Sequence, residues 1–194
     1  MRKFCNVGFI ILAFASQLAL VRAQANTPKS SGTATSTPAA QSKDYPNLKA
    51  QAEELAEAFL RRDFYKVASL TYPKAVRLMG GRARMVAFLN RSMKQAEAEN
   101  VRILSNTVGE PKEIIRVGRQ LFAIIPATLK MKVPGGTLTG QSFLIGISND
   151  DGENWTFVDS AGVTDRARLK TLFPAAADKL KIPEVKPPIL ERES

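Results

Sequence analysis

From Asn47 to Arg62 apolar residues return at helical spacing. Leu48, Ala52, Leu55 and Phe59 follow one another at steps of four and three, and Ala56 and Leu60 widen the stripe. Lys49, Glu53, Glu54 and Glu57 occupy the other faces, so the pattern predicts an amphipathic helix. Asp63 then reads as the N-cap of a short second helix, Phe64 to Leu70. Tyr72-Pro73 re-aims the chain, a turn or two of helix spans Lys74 to Met79, and Gly80-Gly81 stops it. A third long helix is predicted from Arg82 to Glu99, burying Met85, Phe88, Leu89, Ser92 and Ala96.

Beyond Asn100 the period shortens to two. Val101, Ile103, Ser105 and Thr107 fall on one face of an extended segment, and Gly109-Glu110-Pro111 turns it. Strands follow at Glu113–Val117, Gln120–Val133, Thr137–Ser148 and Trp155–Asp159, separated by Gly118-Arg119 and by the tight turn Pro134-Gly135-Gly136. Pro126 inside the third of these five strands predicts an edge position or a bulge. Thr164 is expected to cap a closing helix, Asp165 to Leu172, and prolines punctuate the tail. Helices first, then a meander, then a terminal helix predict an α+β domain. Its antiparallel sheet is expected to curve strongly around the N-terminal helices, with helices gathered on one face.

The ends divide the chain further. Met1-Arg2-Lys3 precedes an uncharged apolar run, Phe4 to Val21, and Arg22-Ala23-Gln24-Ala25 carries a small-x-small cleavage pattern. Residues 1–25 are therefore read as a secretory signal, cleaved after Ala25, which sends the chain to the periplasm or the medium. Residues 26–44 are rich in Ser, Thr, Ala and Pro and are read as a flexible linker. The folded domain is expected over 45–182, and a proline-rich polar tail over 183–194. With the signal removed, no stable membrane span is expected.

The formal charge is +10, and the expected signal carries three of those cations, Arg2, Lys3 and Arg22. The remaining positive charge reads as diffuse, with acids mixed among the bases. No arginine-lysine stripe interleaved with aromatics points to nucleic acid. Two absences exclude more. The chain has no histidine, and its single cysteine is Cys5, inside the expected signal. Ser-His-Asp and Cys-His catalysis are thereby ruled out, as are thiolate chemistry and the common zinc sites. Any chemistry must rest on carboxylates, Tyr, Lys or Arg, and no cofactor is indicated.

Ser148-Asn149-Asp150-Asp151-Gly152-Glu153-Asn154-Trp155 fits the pattern S-x-D-x-G-x-x-W and resembles the Asp-box turn of sialidase-type propellers. A single copy in so short a chain reads as a structural hairpin turn built from Ser148, Asp150, Gly152 and Trp155. Asp150, Asp151 and Glu153 lack the spacing of a calcium loop, and no metal is expected there. Asp63 and Tyr72 are the catalytic candidates, a carboxylate base and a hydrogen-bond donor, each set against a plain role as cap or packing residue.

The order of elements and two local phrases resemble the nuclear transport factor 2-like superfamily, which includes the SnoaL-like proteins. Ala58-Phe59-Leu60-Arg61-Arg62-Asp63-Phe64 looks like the end of its first helix running into an aspartate-aromatic turn. Leu70-Thr71-Tyr72-Pro73 with Gly80-Gly81-Arg82 is similar to its next helix and glycine stop. The likeness covers Leu48 to Asp159 and implies a cone whose bent sheet leaves a pocket. Phe59, Phe88, Phe122, Phe143, Trp155 and Phe157 read mostly as core, a few of them as pocket lining, and Arg84 and Arg91 as an anion site or as solvated or paired side chains. The superfamily holds isomerases, cyclases and dehydratases beside binding modules, so the resemblance implies a pocket and not a reaction. Tyr72 stands where relatives often carry His, which counts against His-dependent chemistry. The expectation is an exported binding or accessory module for a small molecule or a protein, with a homodimer through the sheet as one arrangement. A small hydrophobic-pocket enzyme and an envelope-associated interaction module are the alternatives.

Overall fold

The computed structural model describes residues 45–163 and 165–192. The expected signal, the linker up to residue 44 and Thr164 lie outside the described residues. Four helices come first: α1 (Pro46–Leu60), α2 (Phe64–Leu70), α3 (Pro73–Leu78) and α4 (Arg82–Ala98). Then follow β1 (Arg102–Val108), β2 (Glu113–Val117), β3 (Gln120–Val133), β4 (Gly136–Ser148) and β5 (Thr156–Asp159). A 3-10 turn (Ser160–Val163), α5 (Arg166–Leu172) and a last strand, β6 (Ile189–Arg192), complete the order. The result is an α+β fold with a strongly curled, half-barrel antiparallel sheet and helices packed against it.

The sheet is organised by one long hairpin. β3 and β4 pair without a break from Leu121↔Ser148 to Val133↔Gly136, across a two-residue turn in which Gly135 takes φ 88°. Two short strands flank each side of this hairpin. β2 and β1 pair with successive parts of β3, and β5 and β6 with opposite ends of β4. Pro126 is therefore not at an edge. Its carbonyl accepts the Gly109 N–H at 2.8 Å, so its nitrogen faces the seam between the end of β1 and the start of β2. A central strand tolerates proline there because no ladder donor is needed at that seam.

Two further expectations change in β1 and at the closing helix. A register shift between Ile103 and Ser105 inserts Leu104 as an extra residue. Ile103 pairs with Met131 on the inner face, whereas Ser105 pairs with Lys130 and Thr107 with Thr128 on the outer. A single bulge thus reverses the alternation that would have put all of them together. The cap of α5 is Asp165, whose carboxylate accepts the Arg168 N–H at 2.8 Å.

The helices are not gathered on one face. Inside the curl, Leu48 and Ala52 of α1 pack on Leu121, Ala123, Ile125, Leu144, Trp155 and Phe157. Gly146 makes the approach close: a Cβ there would meet Leu48 Cδ1 at 3.1 Å. Outside the curl, Leu169, Leu172 and Phe173, with Ala176 to Leu180, cover Phe122, Ile124, Phe143, Ile145 and Ile147. The unbroken apolar runs Leu121–Ile125 and Phe143–Ile147 are the sequence signature of strands buried on both faces. A third cluster joins Phe59 of α1 to Phe64 and Val67 of α2 and to Met85, Leu89 and Met93 of α4. Phe88 is only half-buried at its margin. Among the described residues no helix is long and apolar enough to cross a membrane.

Candidate functional site

The two catalytic candidates are held at opposite ends of α2. Asp63 is exposed and caps the helix, its Oδ1 accepting the Lys66 N–H at 3.0 Å. Tyr72 lies beyond the last turn of the seven-residue helix, roughly 10 Å along the axis. Its N–H donates to the Phe157 carbonyl at 2.9 Å, and its ring packs against Phe173 with centroids 5.4 Å apart. The structure does not bring the two side chains together.

The lining candidates are also spread. Phe122 and Phe143 lie in the outer cluster, Trp155 and Phe157 in the inner one, and Phe59 and Phe88 among the helices. Arg84 and Arg91 are exposed on the solvent side of α4.

The Ser148–Trp155 segment is a closed network of its own. Ser148 is buried; its Oγ donates to Asp150 Oδ1 at 2.8 Å and accepts the Gly152 N–H at 2.9 Å. Asp150 also accepts from the Asn154 backbone at 3.0 Å and from its amide at 2.8 Å, and these donors hold its pKa below the ordinary carboxylate value. Gly152 supplies φ 98°, and its carbonyl accepts the Trp155 indole N–H at 2.9 Å. Asp151 pairs with Arg116 at 2.7 Å. The arrangement fastens the turn to α1, because the Trp155 backbone N–H donates to Gln51 at 2.8 Å and Tyr45 meets the indole edge-on. Among the described residues, no three acidic side chains are grouped so as to hold a metal ion.

Asp159 was missed by the sequence reading. It continues the inner-face series Trp155, Phe157, and pairs across the strand with Leu144. Burial pushes its carboxyl up to about 6, against the lowering effect of the Ala161 N–H, which donates at 2.8 Å, and of Ser160. An acid at the next step of an apolar period-two stripe is the signal that could have found it.

A different region gathers chemistry. Where α1 and α4 end beside the start of β1, a cleft of about 450 Å³ is lined by Leu60, Arg62, Met93, Glu97, Asn100, Val101, Arg102 and Ile103. This lies within the size range of small-molecule sites. Both helices end in the same way. The Asp63 N–H returns to the Ala58 carbonyl at 2.9 Å, and the Val101 N–H to the Ala96 carbonyl at 2.8 Å. Each closure needs one left-handed residue, and glycine is the usual occupant. Here the positions belong to Arg62, φ 61°, and Asn100, φ 58°. Arg62 pairs with Glu97 at 2.5 Å, whereas the exposed side chain of Arg102 makes no ion pair or hydrogen bond among the described residues. None of the residues that line this cleft was among the sequence candidates. No protein-family model matches the chain, and no curated protein matches it.

Proposed function

We propose that this chain is an exported binding module of the nuclear transport factor 2-like type. Its site is the cleft at the ends of α1 and α4, and its ligand is a small amphipathic anion. The observation that carries the proposal is Arg62. A left-handed backbone costs a side-chain-bearing residue about 1 kcal/mol or more, and glycine would hold the same turn without that cost. The guanidinium that this turn places at the mouth of the cleft pairs with Glu97 of α4, and an anionic ligand would meet it there beside Arg102. Arg102 adds a second cation and Asn100 an amide, while Met93, Val101 and Ile103 offer an apolar wall. With Arg62 shared with Glu97, Arg102 is the cation open to a ligand, and this net positive edge above apolar side chains suits a carboxylate or sulfonate with a short alkyl chain. The separation of Asp63 from Tyr72 supports capture over catalysis.

The test is calorimetric titration with octanoate, octanesulfonate and octylammonium. Both anions are expected to bind and the cation to fail. Arg102→Ala and Arg62→Gly should each weaken anion binding tenfold or more, with Arg62→Gly leaving thermal stability equal or higher. Anion binding indifferent to both substitutions, or no anion binding at all, rejects the site.

A further inference from the structure

The positive charge is not evenly mixed along the folded chain. From Phe64 to Ala96 the sequence holds Lys66, Lys74, Arg77, Arg82, Arg84, Arg91 and Lys94, and not one acid. This stretch spans α2, α3 and nearly all of α4. Lys66 is paired with Glu54 of α1, and Lys74 donates to the Leu172 carbonyl. The other five are exposed, and their side chains make no ion pair or hydrogen bond among the described residues. On α4, Arg84, Ala87, Arg91 and Lys94 share the side opposite the buried Met85, Leu89 and Met93, so the outward face is cationic and otherwise small.

At the α3–α4 turn this charge surrounds an apolar tip. Leu78 is 61 % exposed, with Arg77 before it and Arg82 just beyond Gly80-Gly81. The Arg84 side chain leans back over Gly80, so that a Cβ added there would meet its Cδ at 2.5 Å and its Nη1 at 3.1 Å. Arg84 is thereby brought to the same turn.

We infer that the Arg77–Arg84 turn, with the outer face of α4, docks this protein peripherally on the phosphate headgroups of an anionic bilayer. Charge complementarity is one-sided here, since no acid within the stretch offsets the cations. Four of the five free cations are arginine, whose planar fork suits phosphate oxygens. The exposed leucine distinguishes a bilayer from a soluble polyanion: a leucine among arginines gains by entering the interface, and gains little on a hydrated polymer.

The experiment is vesicle flotation of the full chain at about 0.1 M salt, comparing phosphatidylcholine vesicles with equimolar phosphatidylcholine and phosphatidylglycerol. Neutral vesicles measure whatever the apolar N-terminal run contributes. The phosphatidylglycerol-dependent part is the readout. It should fall as salt rises, and by roughly fivefold for each cation removed near the surface. Arg77→Glu, Arg82→Glu and Arg84→Glu together should abolish it, and Leu78→Ser should weaken it several-fold with circular dichroism unchanged. Should the triple variant fail to fold, Arg91→Glu with Lys94→Glu makes the same test on the exposed face of α4. Undiminished phosphatidylglycerol binding in the folded variants overturns the inference. Binding that ignores Leu78 and is fully competed by soluble polyphosphate also overturns it, and assigns the surface to a free polyanion.

Discussion

Asp159→Asn keeps the shape of the side chain and an oxygen that can accept the Ala161 N–H, but removes the titrating proton. In the folded protein burial raises the Asp159 carboxyl from 3.8 to about 6. Each pKa unit is worth about 1.4 kcal/mol, so the fully charged form costs the fold at most about 3 kcal/mol. The residue is only half-buried, and solvent screening brings the expected figure to about 1–2 kcal/mol. A raised folded-state pKa makes the folded state the better proton binder. Its contribution is fully present below about pH 4 and is lost as the pH rises through 6. The Asn variant stays neutral throughout. Its advantage over the parent should therefore be close to nil at pH 4, grow between pH 4 and 6, and level off at about 1–2 kcal/mol by pH 8. Urea unfolding at pH 4, 5.5 and 8 gives the comparison, read from the fluorescence of Trp155, the only tryptophan in the chain. An equal gain at pH 4 and pH 8, or none at pH 8, would refute burial as the cause.

Three other substitutions test neighbouring parts of the argument. Ser148→Ala removes a buried hydroxyl and leaves the Gly152 N–H without its acceptor, so it should cost about 1–3 kcal/mol in the same urea assay. Asp63→Ala should cost about 1 kcal/mol as a lost cap and leave ligand titrations unchanged. At Gly136 an added Cβ would run into the Glu191 backbone, so Gly136→Ala should release β6 from the edge of β4. Hydrogen exchange over Thr137–Thr139 would then rise, with little loss of global stability because β6 is exposed along its length.

Much of the fold was legible because its local signals are strong. The α1 stripe from Leu48 to Phe59, the Asp63 cap and the Pro134-Gly135 turn each follow from side-chain spacing or backbone chemistry. What misled the reading was context from distant residues. The bulge at Leu104 is set by pairing with Met131 and Lys130, so a strict period of two placed Ser105 and Thr107 on the wrong face. β6 escaped because Pro187 and Pro188 lead into it, and because its partner is the start of β4, about fifty residues earlier. The cleft was invisible for a sharper reason. Arg62 sits where α1 ends and Arg102 opens β1, and a left-handed Arg62 leaves no mark in composition or periodicity. The acid-free run from Phe64 to Ala96 was in plain view, yet the net charge of the whole chain averaged it away.

The long β3–β4 hairpin explains why stability and recognition fall in different places. At the end bounded by β2 and β5, both faces of the sheet are covered, one by α1 and the other by α5 with the Phe173–Leu180 segment. Trp155 and its turn are locked there, and even Asp159 faces the inside of the curl. At the other end the outer face of β3 and β4 carries Thr128, Lys130, Lys132, Thr137, Thr139 and Gln141, and nothing apolar is left to bury on those two strands. A copy of the chain docking against that face would meet polar rows rather than the apolar core of an obligate interface. The surfaces that break the rules of economy lie on the helical side instead: an arginine where glycine would be cheaper, and cations without acids. Core burial of the hairpin can hold those costs because its covered half does not depend on them.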